Sequence, residues 1–567
     1  MTDEILEDVR RHDAALRARG LEIWIGAEPT FTRRQSQEAW WLSEAEGGDK
    51  EEHARALLQA LALRLPQPPR LLKVVGRQFP DEPKPRFCLG AQWHRDPRRG
   101  MVPSAAGGLD GEPAAVPPLD PELAWLTVTP DPGVVEVNMA PAPDLETFLG
   151  WSRDVYAAAA EAGLSPVRYR WNGEAVDSGG GGQITLGGPS PEASPFFRHP
   201  HLLPGLLRYL NRHPSLSYWF ATECVGSSSQ GPRPDEGVRE RFEELTTALT
   251  GLGRAGSVPP EDLWRALAPL LVDCSGNSHR AELNVEKLWN PYLPGRGCQG
   301  LVELRSFRME SAPERMAAVG ALLRSLAARL VGSPYEEPLV DWSSDLHDRF
   351  ALPAILEDDL RDVLADLEAH GVGLGPALVR HVLAPPAPIG RVAQGEATLA
   401  LTPALEYWPL VGDVASEERR GARLLDASTQ RLQVTVEAPA GEEPGQVAVN
   451  GWALGLRPLT SPGPGRWVAG VRYRGFVPEP GLHPGLPATG PLSITWVRGA
   501  GAAEIVLHRW IPGGGIYDGL PADAAEAARR REERVLVRPL SPAAARAAPR
   551  PAQARSAFTL DLRRCTP

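Results

Sequence analysis

The sequence predicts a mixed α+β protein with more than one domain, and three observations support this prediction. Its 567 residues exceed what one hydrophobic core usually holds, which is about 250–300 residues. Segments with helical periodicity alternate with strand-like segments up to about residue 385, and short strand-like segments dominate afterwards. The 57 glycines and 58 prolines indicate many shaped turns between these segments.

The first 385 residues contain the elements of the larger predicted domain. Apolar periodicity predicts helices over residues 3–19, 49–65, 144–162, 201–212, 235–252, 311–332 and 356–369. Strands are predicted over residues 21–26, 70–75, 126–129, 133–138, 279–287 and 300–308. Between them, residues 100–120 are rich in Pro, Gly and Ala and predict an insertion loop.

The remaining residues predict a β-rich domain and a tail. Alternating apolar and polar residues over 431–436, 446–449 and 467–473 predict short strands. Their regular spacing with Gly/Pro turns is typical of a β-sandwich-like domain, which we place over residues 386–536. Residues 537–567 are rich in Ala, Pro and Arg and predict a mostly disordered tail.

The bulk composition argues against several classes of function and location. A formal net charge of −11 gives no overall attraction to nucleic acid or to an anionic membrane surface. The N-terminus lacks the apolar segment of a secretory signal, and no run reaches the ~18 apolar residues of a spanning helix. The five cysteines are widely spaced, which favours reduced thiols over disulfides or a zinc cluster. A cytoplasmic protein is therefore expected.

Common catalytic motifs are missing from the sequence. It contains neither a GxSxG nucleophile turn nor an HExxH zinc motif. Cys274 and His279 could form part of a nucleophile set, but nothing near Cys274 in sequence would lower its pKa. The basic segment HRDPRR (94–99) is better interpreted as a solvated loop than as a nucleic-acid contact.

Polar side chains recur at alternate positions of three predicted strands. Glu136 shares a face with Asn138, and Glu303 shares a face with Arg305. In the strand that begins at His279, this histidine lies on one face and the pair Arg280 and Glu282 on the other. Each pattern alone is typical of a strand with one face in water. Together, carboxylates, an imidazole and guanidinium groups are what a site for magnesium-bound nucleotide requires.

The segment DSGGGGQITLGG (177–188) permits two interpretations. Four consecutive glycines are typical of a flexible linker. They lead, however, into a β-branched segment and a second glycine pair, which favours a loop that approaches a ligand closely. The segment is neither a Walker loop nor a GxGxxG turn.

Several ordered segments resemble a bacterial family of unknown function. They are IGAEPTF (25–31), VTPDPGVVEVN (128–138), the glycine run, HPSLSYWF (213–220), GSSSQGPR (226–233), CSGNSHRAELNVEKL (274–288), GLVELRSF (300–307), GRWVAGVRYRGF (465–476) and HPGLP (483–487). The resemblance extends from about residue 20 to residue 530. Longer members of that family carry a transglutaminase-like domain ahead of this region, and these 567 residues hold none.

The resemblance implies a glutamine-synthetase-like carboxylate–amine ligase that uses ATP and Mg²⁺. It implies an antiparallel sheet whose concave face carries metal or phosphate ligands at Glu136, His279, Glu282 and Glu303. Arg280 and Arg305 would hold phosphate or a substrate carboxylate, and Glu28 would be a further ligand or a contact to the substrate amine. Ser229, Gln230 and Arg233 would shape the substrate end. Strand alternation allows Glu282 with Arg280, or His279, to face inward, unless a bulge intervenes.

The nucleotide side would comprise Gly180, Gly181, Gly182, Gln183 and Arg77. Here the sequence departs from the family pattern, whose glycine run ends in Asn-His where this chain has Gly182-Gln183. The family also tends to have Glu at Arg308 and Lys at Arg77.

These departures leave two functions open. The first is an amide-bond ligase that acts through an acyl phosphate on a small-molecule or peptide substrate. The second is a catalytically degenerate scaffold or assembly protein. Either could work with partner proteins encoded nearby, and neither involves nucleic acid or a membrane.

Overall fold

The computed structural model describes most of the chain. The described residues are 2–33, 47–65, 68–75, 87–103, 108–110, 113–117, 120, 122–131, 133–221, 224–255, 258–292, 297–409, 425–459, 465–477, 482–541, 549–551 and 556–565. Arg77, predicted to lie at the nucleotide side, falls outside them. Among the described residues, no helix has both the length and the apolar character needed to cross a membrane.

Helices and strands alternate along the chain up to residue 382, and strands predominate afterwards. The helices are α1 Thr2–Ala18, α2 Gly47–Ala62, α3 Leu145–Glu161, α4 Pro195–Arg198, α5 Leu202–Arg212, α6 Ser215–Tyr218, α7 Arg239–Ala255, α8 Pro260–Leu267, α9 Pro313–Gly332, α10 Pro353–Ala369, α11 Pro376–Val382 and α12 Ala524–Glu533. The first twelve strands are β1 Trp24–Arg33, β2 Arg70–Val75, β3 Phe87–His94, β4 Leu123–Asp131, β5 Val134–Asn138, β6 Leu164–Ser165, β7 Val167–Tyr169, β8 Ala175–Asp177, β9 Gly182–Gly187, β10 Cys224–Val225, β11 Leu283–Asn284 and β12 Val302–Leu304. The later strands are β13 Gly390–Gln394, β14 Ala397–Ala404, β15 Glu406–Tyr407, β16 Thr429–Ala438, β17 Gln446–Val449, β18 Trp452–Ala453, β19 Arg457–Pro458, β20 Gly465–Arg474, β21 Leu492–Arg498, β22 Gly501–Leu507, β23 Val535–Pro539 and β24 Thr559–Asp561.

A nine-stranded antiparallel sheet forms the centre of the N-terminal part. Its strand order is β11-β12-β9-β1-β5-β4-β3-β2, and β6 also pairs with β1. Alternate residues of the central strands, such as Ile25, Ile184, Val135 and Val302, are fully buried in one hydrophobic core with α3 and α9. Because successive strand residues face opposite ways, the polar residues between them share the other face of the sheet.

The C-terminal part contains two further sheets. A six-stranded sheet has the order β13-β14-β16-β20-β19 with β24 beside β20, and a five-stranded sheet has the order β18-β17-β21-β22-β23. Buried apolar residues of both sheets, including Val434 and Trp496, belong to one hydrophobic core. The β-rich character predicted beyond residue 385 is therefore present, while the domain boundaries and the sandwich-like topology stay predictions.

The predicted helices and most predicted strands occur within a few residues of their expected bounds. The strand expected over residues 279–287 is reduced to Leu283–Asn284. Residues 273–282 instead form turns, because Asp273 Oδ1 accepts hydrogen bonds from the amides of Ser275 and Asn277, and Asn277 Oδ1 accepts one from His279. The alternation expected from His279 to Glu282 is therefore absent.

The expected tail also contains ordered elements. Strand β23 extends to Pro539, and β24 pairs in parallel with β20 through three consecutive residues. The amide of Arg550 donates to the carbonyl of Gly451. For the described residues of 537–567, the expectation of a mostly disordered tail is not met, because Leu560 and Leu562 join the C-terminal core.

Helix α12 connects the C-terminal part to the hairpin β7–β8, which precedes the glycine run. Arg530 Nη1 donates to the carbonyl of Trp171 at 2.7 Å, and Arg534 Nη2 lies 3.0 Å from Glu174 Oε1. Gly173, at the hairpin tip, has a φ of +82°, and a Cβ there would lie 2.2 Å from the carbonyl oxygen of Ala527. Only glycine combines this backbone conformation with so close an approach to the helix.

We expect Arg530→Ala to lower the free energy of unfolding by about 2 kcal/mol, because buried carbonyl groups would lose a charged donor. The Arg530 side chain is 6% exposed, and it also donates to the carbonyl of Gly519. Chemical denaturation measures the change. Arg529→Ala is the matched control, since Arg529 is exposed and lies 3.8 Å from Glu526, and its effect should stay below about 0.5 kcal/mol. Equal effects of the two substitutions would contradict the role of Arg530.

Candidate active site

The polar face of the central sheet brings together residues from three neighbouring strands. Glu28 of β1 lies directly opposite Gln183 of β9. Glu303 of β12 lies opposite Thr185 of β9. Gln183 and Thr185 are two residues apart on one strand and share a face, so Glu28 and Glu303 lie on that same face. All four side chains are buried.

Lys287 bridges the two carboxylates from the turn that follows β11. Its ammonium group is paired with Glu28 Oε1 and lies 2.5 Å from Glu303 Oε2. The Lys287 side chain is 32% exposed, whereas those of Glu28 and Glu303 are 10% and 3% exposed. The lysine therefore covers the carboxylates on the open side of the cluster. We call Glu28, Gln183, Lys287, Glu303 and Arg305 the carboxylate cluster.

Arg305 and Gln183 complete the contacts of these carboxylates. Arg305 Nη1 donates to Glu303 Oε1. The Gln183 amide satisfies both of its neighbours when its nitrogen donates to Glu28 Oε2 at 2.5 Å and its oxygen accepts from Arg305 Nη2 at 3.0 Å. Each of the four carboxylate oxygens thus accepts a hydrogen bond from a protein donor.

The pKa values follow from these contacts. Burial disfavours the charged form of Glu303, but the ammonium of Lys287 and the guanidinium of Arg305 outweigh it and lower the Glu303 pKa to about 2. Burial raises the pKa of Glu28 despite the nearby Lys287. Although burial opposes it, the two carboxylates raise the pKa of Lys287, which stays charged.

Glu136 lies on the same face but makes no contact with Lys287. It is paired in register with Thr30 of β1, and its Oε1 accepts a hydrogen bond from Asn138 Nδ2 at 2.9 Å. Burial and the nearby charges of Glu28 and Asp131 raise the pKa of Glu136 to about 8. Glu136 is therefore mainly uncharged at neutral pH.

Arg280 adds a positive charge beside the cluster. Burial and the positive charge of Arg305 lower the pKa of Arg280. Within the described residues, the Arg280 side chain has no hydrogen-bond or ion-pair partner, and Arg305 Nε is buried without a partner. The Arg280 guanidinium group, with its unused donors, is suited to an anion.

Glu282 belongs to a different network. Its carboxylate accepts from Ser217 Oγ and lies 3.7 Å from Arg233 Nη1. Arg233 is fully buried and also pairs with Asp235 at 3.0 Å. Burial raises the pKa of Glu282, although Arg233 opposes this shift. Because Arg233 is enclosed by protein, its position is that of a structural residue and does not match the expected contact with substrate.

His279 lies in different surroundings from Glu282 and Glu303. The imidazole is 51% exposed, and its Nε2 lies 3.3 Å from Glu286 Oε2. Ser229 and Gln230 lie half-buried in the turn after β10, where the amide of Ser229 donates to the carbonyl of Gly226. The four expected metal ligands thus occupy three different environments.

The glycine run packs against other strands of the protein. A Cβ on Gly180 would lie 2.7 Å from Thr30 Oγ1, and one on Gly182 would lie 2.3 Å from the carbonyl oxygen of Arg308. The amide of Gly182 donates to the carbonyl of Phe307, and that of Gly179 to Asp177 Oδ1. The glycines therefore permit close packing of the chain, and these two amides are not available to a phosphate.

Arg308 also contacts the start of this segment. Its Nε donates to Asp177 Oδ2 at 3.1 Å, and its backbone forms a bridge with Gly181. Two of the three departures from the expected pattern, Gln183 and Arg308, therefore adjoin the same glycine run.

A resident magnesium ion does not fit the described residues. Mg²⁺ takes six oxygen ligands and is usually held by one or two carboxylates with water and substrate phosphates. Here every oxygen of Glu28 and Glu303 accepts from a protein donor, and a protein cation lies between them. Across the described ranges, no group of three or more His, Cys, Asp or Glu is placed to hold a metal ion.

The described cavities do not coincide with the carboxylate cluster. One of about 510 Å³ is lined by Gln394, Arg498 and Arg538, and one of about 270 Å³ by Arg208, Thr250 and Glu336, among other residues.

Sequence reasoning missed Lys287. The residue lies in the segment CSGNSHRAELNVEKL, but three residues beyond β11, where strand alternation no longer applies. A lone lysine among acidic residues is usually solvated, so its contact with two buried carboxylates could be recognised only from the sheet order.

The fold and this face define an α+β protein with a buried carboxylate–cation cluster on an antiparallel sheet. Residues 2–100 and 112–563 match a family described as "Putative amidoligase enzyme (DUF2126)". The chain belongs to this family. The unmatched residues 101–111 lie within the insertion loop predicted over residues 100–120.

Comparisons with other proteins add little to this assignment. No curated protein matches the sequence. A crystal structure titled as a novel glutamine synthase homolog is 15% identical, with a TM-score of 0.28 over 67% of this chain and 69% of that one. GmaS bound to ADP is 13% identical, with a TM-score of 0.27 over 67% and 71%. Similarities of this size establish neither fold nor activity.

We expect Gly182→Ala to lower the free energy of unfolding by about 1–3 kcal/mol, because its methyl group would collide with the Arg308 carbonyl. Chemical denaturation measures the loss. Gly253→Ala is the matched control, since a Cβ in that exposed part of α7 meets nothing within 4 Å and should stabilise the helix slightly. If Gly182→Ala leaves the free energy of unfolding unchanged, the close packing of Gly182 on Arg308 does not contribute to stability.

The raised pKa of Glu136 predicts a pH-dependent stability. Between about pH 4.3, the ordinary value, and about pH 8, the folded state holds a proton that the unfolded state has lost. Stability therefore falls as pH rises through this window. Glu136→Gln should reduce the loss of stability between pH 5 and pH 8.5, measured by denaturant titration. Glu396→Gln, in an exposed turn, should keep the wild-type slope, and an unchanged slope in Glu136→Gln would refute the assignment.

Proposed function

We propose that this protein is an ATP-dependent carboxylate–amine ligase that forms an amide bond through an acyl phosphate. The observation that carries the proposal is the carboxylate cluster, in which Lys287 and Arg305 pair with two buried carboxylates on the polar face of the sheet. Family membership supports the reaction type, because the family is described as an amidoligase.

The charge balance of the site supports an anionic ligand. Lys287 and Arg305 neutralise Glu28 and Glu303, and Glu136 is mainly uncharged at neutral pH. The positive charge of Arg280 is then in excess. A phosphoryl group or a substrate carboxylate would restore neutrality and engage the unused donors of Arg280.

In the proposed reaction, ATP enters as its magnesium complex, so the metal belongs to the substrate. Arg280 and Arg305 orient the γ-phosphoryl group toward a substrate carboxylate, whose oxygen attacks phosphorus and releases ADP. A neutral amine then attacks the acyl carbon, the bond from this carbon to the phosphate oxygen breaks, and the leaving phosphate takes up the proton that the nitrogen loses. Within the carboxylate cluster, Glu28 is the proposed contact for the amine. These residues contribute electrostatic placement and no covalent intermediate.

The substrate is proposed to be a small molecule or a peptide, and partner proteins encoded nearby could supply it. The glutamine-synthetase-like character of the fold, the link to transglutaminase-like proteins and a cytoplasmic location are parts of the same proposal. Ser229 and Gln230 remain candidates for the substrate end.

A catalytically degenerate scaffold is the alternative. It is favoured by the complete use of the Glu28 and Glu303 oxygens within the protein and by the engaged amides of the glycine run. The ligase activity of Gln183→His helps to distinguish the ligase from the degenerate scaffold. If activity is low only because the family histidine is missing, this substitution should raise it.

The test measures ADP and phosphate release with MgATP and pools of amines and carboxylates. We expect release that depends on both substrates, and a loss of at least about 100-fold in Glu303→Gln, because an electrostatic contact at the reacting phosphate would be disturbed. Glu396→Gln should keep wild-type activity. Folded wild-type protein that neither releases phosphate nor gains thermal stability from MgATP would overturn the ligase and leave the scaffold.

A further inference from the structure

The resident cation of the carboxylate cluster is a protein side chain. Glu28 and Glu303 belong to strands separated by β9, and both are nearly inaccessible to water. Two buried carboxylates on one face repel each other and need a positive charge between them. The Lys287 ammonium is in that position, where a divalent cation would otherwise be expected.

Lys287 is held in place by its backbone as well as by its ion pairs. The amide of Leu301 donates to the Lys287 carbonyl at 3.2 Å, and the amide of Gly300 donates to the Leu288 carbonyl at 3.2 Å. These hydrogen bonds fix the turn after β11 against the start of β12. The lysine therefore approaches the carboxylates from a constrained backbone.

We infer that Lys287 is a positioning residue that replaces a divalent cation between Glu28 and Glu303. With Lys287 present, these carboxylates bind no metal ion of their own, and any metal in the reaction arrives with the nucleotide. Lys287 holds Glu303, which in turn holds Arg305, one of the two proposed anion-binding groups. The inference rests on the proposed ligase for its catalytic meaning, but its test needs no nucleotide.

The test counts Mn²⁺ ions bound to the full-length, nucleotide-free protein at pH 7 by electron paramagnetic resonance. Wild type and Glu303→Gln should bind the same number. Lys287→Gln should gain one Mn²⁺ per chain, because the two carboxylates would then lose the cation that lies between them, and Lys287→Gln with Glu303→Gln should lose that site. Mn²⁺ should also raise the melting temperature of Lys287→Gln and leave that of wild type unchanged.

Two controls make the result specific. Lys287→Arg keeps the positive charge and should gain no site. Lys73→Gln removes a lysine that lies 3.3 Å from a single carboxylate, Glu51, and should also gain none. Circular dichroism shows whether each variant is folded.

Two results would overturn the inference. One is a wild-type Mn²⁺ site that disappears in Glu303→Gln. The other is a folded Lys287→Gln variant that gains no site. If Lys287→Gln does not fold, the comparison of wild type with Glu303→Gln still tests whether these carboxylates bind a metal ion in the wild-type protein. Because no ATP is present, a negative ligase assay and a negative metal assay are independent results.

Discussion

The bridge from Lys287 to Glu28 and Glu303 is the interaction on which the arrangement of the polar face depends. Removing a carboxylate from water is costly unless an opposite charge and hydrogen bonds replace the solvent. Two such carboxylates are brought together by the strand order β12-β9-β1, which the apolar face determines by its packing on α3 and α9. Packing the apolar face of the sheet therefore brings two carboxylates together on the polar face, and these carboxylates require a cation between them.

Two of the buried ion networks in the N-terminal part, those of Arg233 and of Lys287, differ in their access to a ligand. Arg233 is fully enclosed, and Glu282 beside it is 3% exposed. Such a network stabilises one conformation and offers nothing to a ligand. In the carboxylate cluster, Lys287 is partly exposed and Arg305 retains an unused buried donor. The partial exposure of Lys287 distinguishes this cluster from the enclosed network of Arg233.

Local patterns predicted much of the fold because they depend on neighbouring residues. Alternation in VVEVN and LVELR placed Glu136 and Glu303 on polar strand faces, although Arg305 lies just beyond β12, and helical periodicity placed α1, α3 and α9 closely. The failures depend on longer-range or side-chain effects. Asp273 and Asn277 bind nearby amides and prevent the strand expected at His279. The role of the glycine run is set by Thr30 and by the backbone of Arg308, far away in sequence.

The contact of α12 with the β7–β8 hairpin links the evolution of the N-terminal and C-terminal parts of the chain. Gly173 approaches the helix so closely that neither surface can change alone, and Trp171 and Glu174 take their donors from residues more than 350 positions later. A recombination event that exchanged the C-terminal β-rich part between relatives would separate these surfaces. The two parts should therefore have diverged together, and hybrid proteins should work only when hairpin tip and helix come from one parent.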